Sequence, residues 1–437
     1  MCANAGRRRD AARCRGYRAT DERHRRPPRA TRLSTVLALS LAACVLYGVG
    51  AGTRGDVGIL LHPLADRTGL SYASVSLCIA VMQLLFGASQ PFFGMLSIRR
   101  SNRFVLELGI GLLAASFLGM IAAHSFWPLM LSLGVLFGLG TGAVNYGLIL
   151  TSLMRYVGPS RAMLVAGMLN AAAGLGSFTL SPVLEGLVAA GGIPLALSVM
   201  CAPLAALVPI ALLITCADPP SGSLRAPRGT IDEGESRGSI RTAFASADFR
   251  FLLAGFSTCG FHMVIIESHL YSQFVSYGID SRAAAWAFSV YGIATIAGAL
   301  LFGYLATRFH KGRLLGGYYG FRAIWTLLFL FAAPKNVVTA VIFNIGLGLT
   351  GDATVAPTSG LVNQWFSLKH VSTIIGVLFF GHQIGAFFSA WLGGILVSRT
   401  GWYVPVWLIG VALCAFAAVM SLLVADRSRE GAATVEA

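Results

Sequence analysis

Residues 52–63 read GTRGDVGILLHP, and this stretch decides how the rest of the chain is interpreted. Arg54 and Asp56 stand in it between two apolar runs, at 33–51 and 57–61. A helix needs roughly 20 apolar residues to cross a bilayer, and an ionised side chain inside such a segment is costly. The two charges are therefore candidates for a functional site within a membrane.

The composition extends this interpretation to the whole chain. Of 437 residues, 56% are hydrophobic and only 12% are charged, whereas about 25% of residues are charged in soluble proteins. Long apolar segments recur along the sequence, which predicts an all-α polytopic membrane protein with the lipid bilayer as its partner. The net charge of +15 does not indicate a nucleic-acid partner, because 11 of the 33 basic residues lie in 1–32 and most others lie in short loops.

Neither a metal site nor an enzyme active site is predicted. The eight cysteines form no CxxC pair and mostly fall inside apolar segments, where cysteine behaves as a small apolar residue. Small-residue runs such as 134–142 lack the lysine that follows a phosphate-binding loop, and they indicate close helix packing. No GxSxG or HExxH motif occurs. We therefore expect no cofactor.

Hydropathy predicts two bundles of six spans each. The bundles occupy 33–217 and 249–426, with a polar Pro/Gly/Ser-rich cytoplasmic linker at 218–248. Residues 1–32 lack the apolar centre of a signal peptide, and a disordered basic tail or an upstream start codon both explain them. A second short tail occupies 427–437. The twelve predicted spans are 34–61, 72–97, 104–123, 127–153, 162–189, 194–216, 250–276, 284–306, 314–333, 336–363, 371–397 and 403–425.

The distribution of basic residues predicts the orientation of these spans. With both termini in the cytoplasm, 27 of the 33 Lys and Arg residues lie on the cytoplasmic side and four lie in outer loops. Cytoplasmic loops of membrane proteins carry such an excess. We therefore predict a multi-pass membrane protein with both termini in the cytoplasm.

An internal repeat relates the two halves. Shifting the chain by 209 residues superposes four glycines of the first half on glycines of the second half without a gap. Repeated membrane halves place a substrate site near the midplane between them. The superposed pairs are Gly69 and Gly278, Gly94 and Gly303, Gly142 and Gly351, and Gly167 and Gly376.

Five stretches resemble the major facilitator superfamily, in particular the bacterial branch of oxalate/formate antiporters and monocarboxylate transporters. They are GTRGDVGILLHPL (52–64), LFGASQPFFG (85–94), GFHMVIIESHL (260–270), PTSGLVNQWF (357–366) and GHQIGAFFSAWLGG (381–394). The resemblance implies a secondary transporter that moves a small organic anion with protons by alternating access. We expect a monomer.

The sequence departs from the superfamily in its charged loop motifs. Ile98 and Thr307 stand where the motif after the second span of each half normally carries an acid. Residues 289–298 lack the Asp/Arg pair of the monocarboxylate carriers. These departures leave the substrate and the coupling scheme open.

Arg54 is the leading candidate for holding a substrate carboxylate. The apolar run that precedes it is long enough to leave it in a loop, but the repeat maps it onto Met263, near mid-depth in span 7. A guanidinium binds a carboxylate through two parallel hydrogen bonds. His262 maps onto Thr53, so we expect it across the cavity from Arg54, either as a proton-handling ligand or as a packing residue.

Further polar residues on spans 4, 7, 10 and 11 complete the predicted site. Asn145 and Tyr146 are predicted substrate contacts, as is His382. Glu267 is either a proton site or an ion-pair partner. Asp352 lies in a glycine-rich segment predicted to bend, and it is either a proton-coupling residue or part of a structural pair.

Three other charges are predicted to be structural. Asp56 lies about 200° around a regular helix from Arg54, so it is expected to pair with a neighbouring helix. Arg322 and Glu107 lie on predicted outer support helices, and Glu107 is one turn from Arg103. Two other functions stay open from the sequence, namely an efflux antiporter for drugs or metabolites and a non-transporting membrane sensor.

Overall fold

The computed structural model describes residues 33–157, 162–216, 240–366 and 368–425. Both predicted tails and most of the predicted linker lie outside these ranges. Residues 240–245 form a short helix before Ala247, so the last part of the predicted linker is helical.

Within these ranges, eleven helices are long and apolar enough to cross a membrane, and the longest is divided by non-helical backbone at Gly191 and Gly192. Twelve spanning helices result, as predicted. A helix satisfies its backbone polar groups internally, which a segment in hydrocarbon requires. They are α1 (Leu33–Gly55), α2 (Tyr72–Arg99), α3 (Asn102–Ala122), α4 (Phe126 to Val157), α5 and α6 (Ala162–Thr215), α7 (Ala247 to Ser276), α8 (Ser281–Arg308), α9 (Lys311 to Ala332), α10 (Val337 to Trp365), α11 (Leu368–Thr400) and α12 (Val404–Leu422).

Several spanning helices contain breaks. After α1, a 3₁₀ turn (Val57–Leu60) leads into a short helix, Leu61–Thr68. The middle of α7 is a π-helical segment, Ile266–Leu270. In α10 the α-helix ends at Leu349, and a 3₁₀ turn at Asp352–Thr354 precedes the second part. Irregular backbone inside a membrane is tolerated only where it is buried in protein or lines a water-filled cavity. These breaks are therefore expected to face the interior of the molecule and not the lipid.

The backbone dihedral angles support the predicted repeat. Among the residues described, four glycines have a positive φ, namely Gly69 and Gly278 at 67° and 80°, and Gly192 and Gly401 at 67° and 73°. In each pair the second glycine follows the first by 209 residues. The turns at equivalent places in the two halves therefore share one left-handed conformation, which a glycine adopts without a steric penalty.

The twelve crossings return the chain to the side on which it began. We call that side the terminal end and the opposite side, which carries Leu61–Thr68 and Tyr403, the far end. The halves contact each other along α2 and α11 and along α5 and α8. At the far end the 3₁₀ turn Val57–Leu60 also packs on the π-helical segment of α7. In the described part of the terminal end, α4 and α10 show no comparable packing. The molecule is therefore closed at its far end.

Gly58 permits the close approach of the two halves at the far end. A Cβ atom at this position would lie 2.4 Å from the carbonyl oxygen of Glu267 and 2.7 Å from that of Ser268. These are backbone atoms, so an alanine would force the 3₁₀ turn and the π-helical segment apart. We expect Gly58→Ala to destabilise the closed far end.

The expected result is faster labelling of a far-end cysteine by a membrane-impermeant maleimide in Gly58→Ala than in the parent protein. Gly94→Ala is the matched control, since no atom lies within 4 Å of a Cβ built there. Equal labelling rates in Gly58→Ala and the parent would contradict the prediction.

Candidate functional site

The site is built around an ion pair that joins the two halves. Arg54 Nη1 donates to Glu267 Oε2 at 2.9 Å, and Arg54 Nη2 donates to Glu267 Oε1 at 3.2 Å. Arg54 belongs to the last turn of α1, and Glu267 belongs to the π-helical segment of α7. The two parallel bonds form the bidentate geometry that is characteristic of arginine and carboxylate.

Gln83 on α2 connects both members of this pair. Its Oε1 accepts a hydrogen bond from Arg54 Nη1 at 2.9 Å, and its Nε2 donates to Glu267 Oε2 at 2.8 Å. Phe86, about one turn further along α2, places its ring 4.7 Å from the guanidinium carbon of Arg54. The amide, the ring and the carboxylate thus surround the cation and hold it in one orientation.

Both charges are largely withdrawn from solvent. The side chain of Arg54 is 20% exposed and that of Glu267 is 9% exposed. Truncating one partner of such a pair leaves the other charge buried and uncompensated, which costs several kcal/mol. The pair is therefore stable while it is intact, and it is sensitive to any change in the charge of either member.

A solvent-accessible surface continues from this pair toward the terminal end. Tyr47 lies seven residues before Arg54, two turns earlier on the same face of α1. Its ring packs edge-on against Tyr146 of α4, with 5.8 Å between centroids. Asp352, in the break of α10, is exposed and interacts electrostatically with Arg54 and with Glu267. These side chains from both halves therefore lie near one another on the terminal side of the ion pair.

The comparison with known sequences identifies the family. A sequence model described as the Major Facilitator Superfamily matches residues 36–275 and 263–437. The chain belongs to this superfamily. Membership confirms the predicted fold and shows that the protein is a multi-pass membrane transporter and not an enzyme.

Individual relatives of this transporter are distant. It is 22% identical over 387 residues to the uncharacterized MFS-type transporter YcxA of Bacillus subtilis (strain 168). That alignment covers 86% of this chain and 92% of YcxA. It is 26% identical over 368 residues to monocarboxylate transporter 12 of Rattus norvegicus, covering 74% of this chain and 71% of the relative. A bacterial homolog of the human lysosomal transporter Spinster, solved in an inward-facing and unoccupied conformation, superposes with a TM-score of 0.67 at 17% identity. That alignment covers 90% of this chain and 93% of the Spinster homolog, and it shows the shared fold.

His262 is a packing residue in the interior of the second half. The transporter buries this ring completely, with Trp407 of α12 in edge-on contact at 5.5 Å between centroids, and neither ring nitrogen has a hydrogen-bond partner among the residues described. Five residues separate it from Glu267, which is roughly 140° around a regular helix. Because Glu267 faces Arg54, His262 lies on a different side of α7. Of the two alternatives left open for His262, these contacts favour the packing residue over a ligand facing Arg54.

Asn145 is a helix cap in this structure. Its Nδ2 donates to the carbonyl oxygen of Gly142 at 2.9 Å, and its Oδ1 accepts from the backbone N–H of Leu148 at 2.9 Å. Both polar groups of the amide are used to hold the break within α4, so the expected substrate contact at Asn145 is not supported. Tyr146, the next residue, is partly exposed beside Tyr47 and stays a candidate contact.

His382 lies at the edge of the site. Its ring packs against Phe256 of α7 and Phe379 of α11, with centroid separations of 5.1 and 6.3 Å. It also interacts electrostatically with Arg54 and Arg322. The structure thus places His382 near the cation, although its nearest neighbours are aromatic.

The three charges predicted to be structural lie apart from one another. Asp56 is completely buried against α5, beside Ser177 and Ser181, without a direct hydrogen bond from the residues described. Arg322 is also buried and donates to the Tyr318 hydroxyl at 2.8 Å and to the carbonyl oxygen of Thr350, which holds the break in α10. Glu107 accepts a bond from Arg103 Nε at 2.8 Å on the surface, and their side chains are 34% and 57% exposed.

Sequence reasoning missed Gln83 and Phe86. An amide within the apolar run around residue 83 was the available signal, because buried amides need partners. Among the residues that the structure describes, no group of three His, Cys, Asp or Glu side chains is arranged to hold a metal ion.

Proposed function

We propose that this transporter moves a small organic anion of the monocarboxylate class together with a proton. The observation that carries the proposal is the bidentate Arg54–Glu267 pair between the halves. A substrate carboxylate has the same shape and charge as the Glu267 carboxylate. It can therefore take the place of Glu267 on the Arg54 guanidinium without any change in that arginine's hydrogen-bonding geometry.

The exchange of carboxylates accounts for proton coupling. When Glu267 is ionised, it neutralises Arg54 and competes with the substrate. When Glu267 takes up a proton, the attraction is lost and the guanidinium is free to bind the substrate carboxylate. The Gln83 amide has both a donor and an acceptor, so it can hydrogen-bond either protonation state of Glu267. Substrate and proton then bind together because each favours the other.

The remaining accessible residues fit a small ligand. Tyr47 and Tyr146 offer two hydroxyl groups on the terminal side of Arg54, and Asp352 is a second candidate for carrying a proton. His382 is proposed to line the edge of the site. The resemblance to monocarboxylate transporter 12, by its name a carrier of monocarboxylates, supports the same substrate class.

We also propose the orientation that the basic residues predict. Both termini then lie in the cytoplasm of a bacterial cell and the far end faces outward across the inner membrane. In this orientation the closed far end makes the structure an inward-facing state. The transporter is proposed to act as a monomer with two six-helix domains joined by a cytoplasmic linker.

Uptake by the unmodified transporter in proteoliposomes tests the proposal. Labelled lactate, pyruvate, benzoate and oxalate are offered with an acidic exterior, and lactamide serves as the uncharged analogue of lactate. We expect at least one monocarboxylate to accumulate, lactamide to be excluded, and accumulation to disappear when nigericin collapses the pH gradient. Uptake that ignores the gradient would overturn proton coupling. Exchange of apolar cations in place of carboxylates would favour the efflux antiporter instead.

A further inference from the structure

Four titratable side chains form a hydrogen-bonded chain across the halves at the far end. His62 Nε2 lies 3.5 Å from the Tyr403 hydroxyl, which lies 3.4 Å from the Tyr72 hydroxyl, which lies 2.8 Å from His269 Nδ1. His62 and Tyr72 belong to the first half, while Tyr403 and His269 belong to the second. The chain therefore crosses between the halves three times.

The partners of His269 fix the direction of the hydrogen bonds. Its Nε2 lies 3.3 Å from the carbonyl oxygen of Ala390, which can only accept, so Nε2 carries the proton and Nδ1 is an acceptor. Tyr72 must then donate to His269, and Tyr403 must donate to Tyr72. His62 in turn donates from Nε2 to Tyr403. Every hydroxyl in the chain is thus directed toward His269.

The chain also runs from solvent to the interior. His62 is exposed, Tyr403 is buried, Tyr72 is partly exposed, and His269 is completely buried. The rings pack on one another, with centroid separations of 4.9 Å from His62 to Tyr72 and 5.7 Å from Tyr72 to His269. One end is accessible to water, and the other lies in the interface that must separate for the far end to open.

We propose that this chain is a proton-uptake site whose protonation opens the far end, with His62 as the point of entry and His269 as the buried acceptor. The inference deepens the proposed function, because it rests on the proposed orientation in which the far end meets the exterior. It assigns a sensing role to side chains that do not contact the Arg54 site.

The proton transfer balances along the chain. A proton from solvent binds to the free ring nitrogen of His62, and His62 passes its Nε2 proton to Tyr403. Tyr403 passes its hydroxyl proton to Tyr72, and Tyr72 passes its own to His269 Nδ1. Each phenol gives one proton and receives one. The net change is one positive charge on His269, with His62 left as the Nδ1–H tautomer and both hydroxyls directed back toward His62.

A charge on His269 favours separation of the halves. The groups facing its ring from other elements are the Tyr72 and Tyr403 phenols, the neutral or cationic His62, and backbone carbonyls of α11. Glu267 on its own helix is engaged with Arg54, and Asp66 lies by His62 at the surface. No carboxylate among the described residues bonds to His269, so a buried cation there is stabilised by exposure to water.

The glycine at position 393 of α11 allows the His269 ring to lie close to that helix. A Cβ atom at Gly393 would lie 2.3 Å from His269 Nε2, so the imidazole lies directly against the helix.

Protonation of His62, where the proton enters, also favours the open form. Partial desolvation of the exposed His62 ring by its neighbours lowers its pKa below the ordinary value in the closed form, while Asp66 opposes that shift. The closed form therefore binds protons less readily than an open one, and acidification shifts the population toward opening.

Distance measurements in lipid nanodiscs test whether protonation of this chain opens the far end. Spin labels at Trp127 and Val338, both highly exposed at the far end of different halves, report their separation in a background without native cysteines. The background also carries Glu267→Gln, which removes any pH response of the Arg54 pair. Between about pH 8 and pH 5, the range in which histidine titrates, we expect the longer-distance population to rise several-fold.

Variants of the chain decide whether that response belongs to it. Tyr72→Phe keeps the packing and interrupts the relay, and His269→Gln removes the acceptor. Both should lose most of the pH response. Tyr277→Phe should retain it, since this far-end hydroxyl bonds to Gln273 outside the chain. An unchanged response in Tyr72→Phe overturns the proposal, even where His269→Gln fails to fold.

The measurement separates this inference from the proposed function. Distances are recorded without substrate, so they do not depend on which anion is carried. If the far end opens with acidification but carboxylate uptake is not coupled to protons, the proposed function fails and the role of the His62–His269 chain stands. If uptake is coupled but the far end does not respond to pH, the role of the chain fails and the proposed function of the Arg54 site stands.

Discussion

Replacing Arg54 by alanine should reduce carboxylate uptake about 100-fold or more. The variant loses the bidentate donor and leaves the Glu267 carboxylate without its cation, and removing one member of a buried charge pair costs about 2–5 kcal/mol. Each 1.4 kcal/mol corresponds to a tenfold change in equilibrium. Arg54→Lys should retain part of the activity, because an ammonium supplies the charge but not the fork of two donors. Initial uptake rates in proteoliposomes measure both effects.

The double variant Arg54→Ala/Glu267→Gln separates binding from folding. It removes both charges, so no carboxylate stays buried without a partner, and its thermal stability should return toward that of the parent. Uptake should stay absent. Arg103→Ala is the matched control, because it breaks the surface pair with Glu107 and should leave uptake within about twofold, as expected for an exposed ion pair. Parent-like uptake by Arg54→Ala would exclude Arg54 as the anion ligand.

Replacing Glu267 by glutamine should uncouple transport from protons. The amide resembles the protonated acid, so the Arg54 guanidinium is available to substrate at any pH. We expect accumulation driven by a pH gradient to fall to the background of empty liposomes. Exchange of external for internal substrate should continue, with an affinity that no longer rises on acidification. At neutral pH the affinity should exceed that of the parent about tenfold or more, since a charge-assisted hydrogen bond contributes about 1.5–3 kcal/mol.

Glu107→Gln provides the matched carboxylate control. It neutralises a glutamate that is also paired with an arginine, but on the surface of α3. Gradient-driven accumulation should be unchanged in this variant. If Glu267→Gln accumulated substrate as the parent does, the proton would have to be carried elsewhere, and Asp352 would be the next residue to neutralise.

The register between the two halves could be predicted from the sequence. A 209-residue shift relates positions along the helices, and it matched Arg54 to Met263 of α7, the helix that supplies Glu267; the mid-membrane depth of Arg54 stays a prediction. The paired left-handed glycines show that the two halves follow this register through their turns as well. Local patterns also predicted the break in α10, because glycines at 346, 348 and 351 precede Asp352 there.

The direction of side chains around each helix could not be predicted in the same way. A repeat gives the depth of His262 but not its rotation, and the edge-on contact with Trp407 comes from a residue more than a hundred positions later. Gln83 joins two charges on different helices, which no local pattern records. The same holds for the chain from His62 to His269, whose members come from four separate parts of the sequence.

The neutrality of the Arg54–Glu267 pair has an electrical consequence. In the empty carrier, one positive and one negative group cancel at the centre of the protein. In the loaded carrier of the proposed mechanism, a substrate anion would take the place of the glutamate charge and the proton on Glu267 would add none, so the sum would again be zero. Moving one charge through a membrane potential involves about 2.3 kcal/mol per 100 mV. Neither the empty nor the loaded carrier would move a net charge at this site. Accumulation would follow the difference in pH between the two compartments and would be indifferent to the voltage across the membrane.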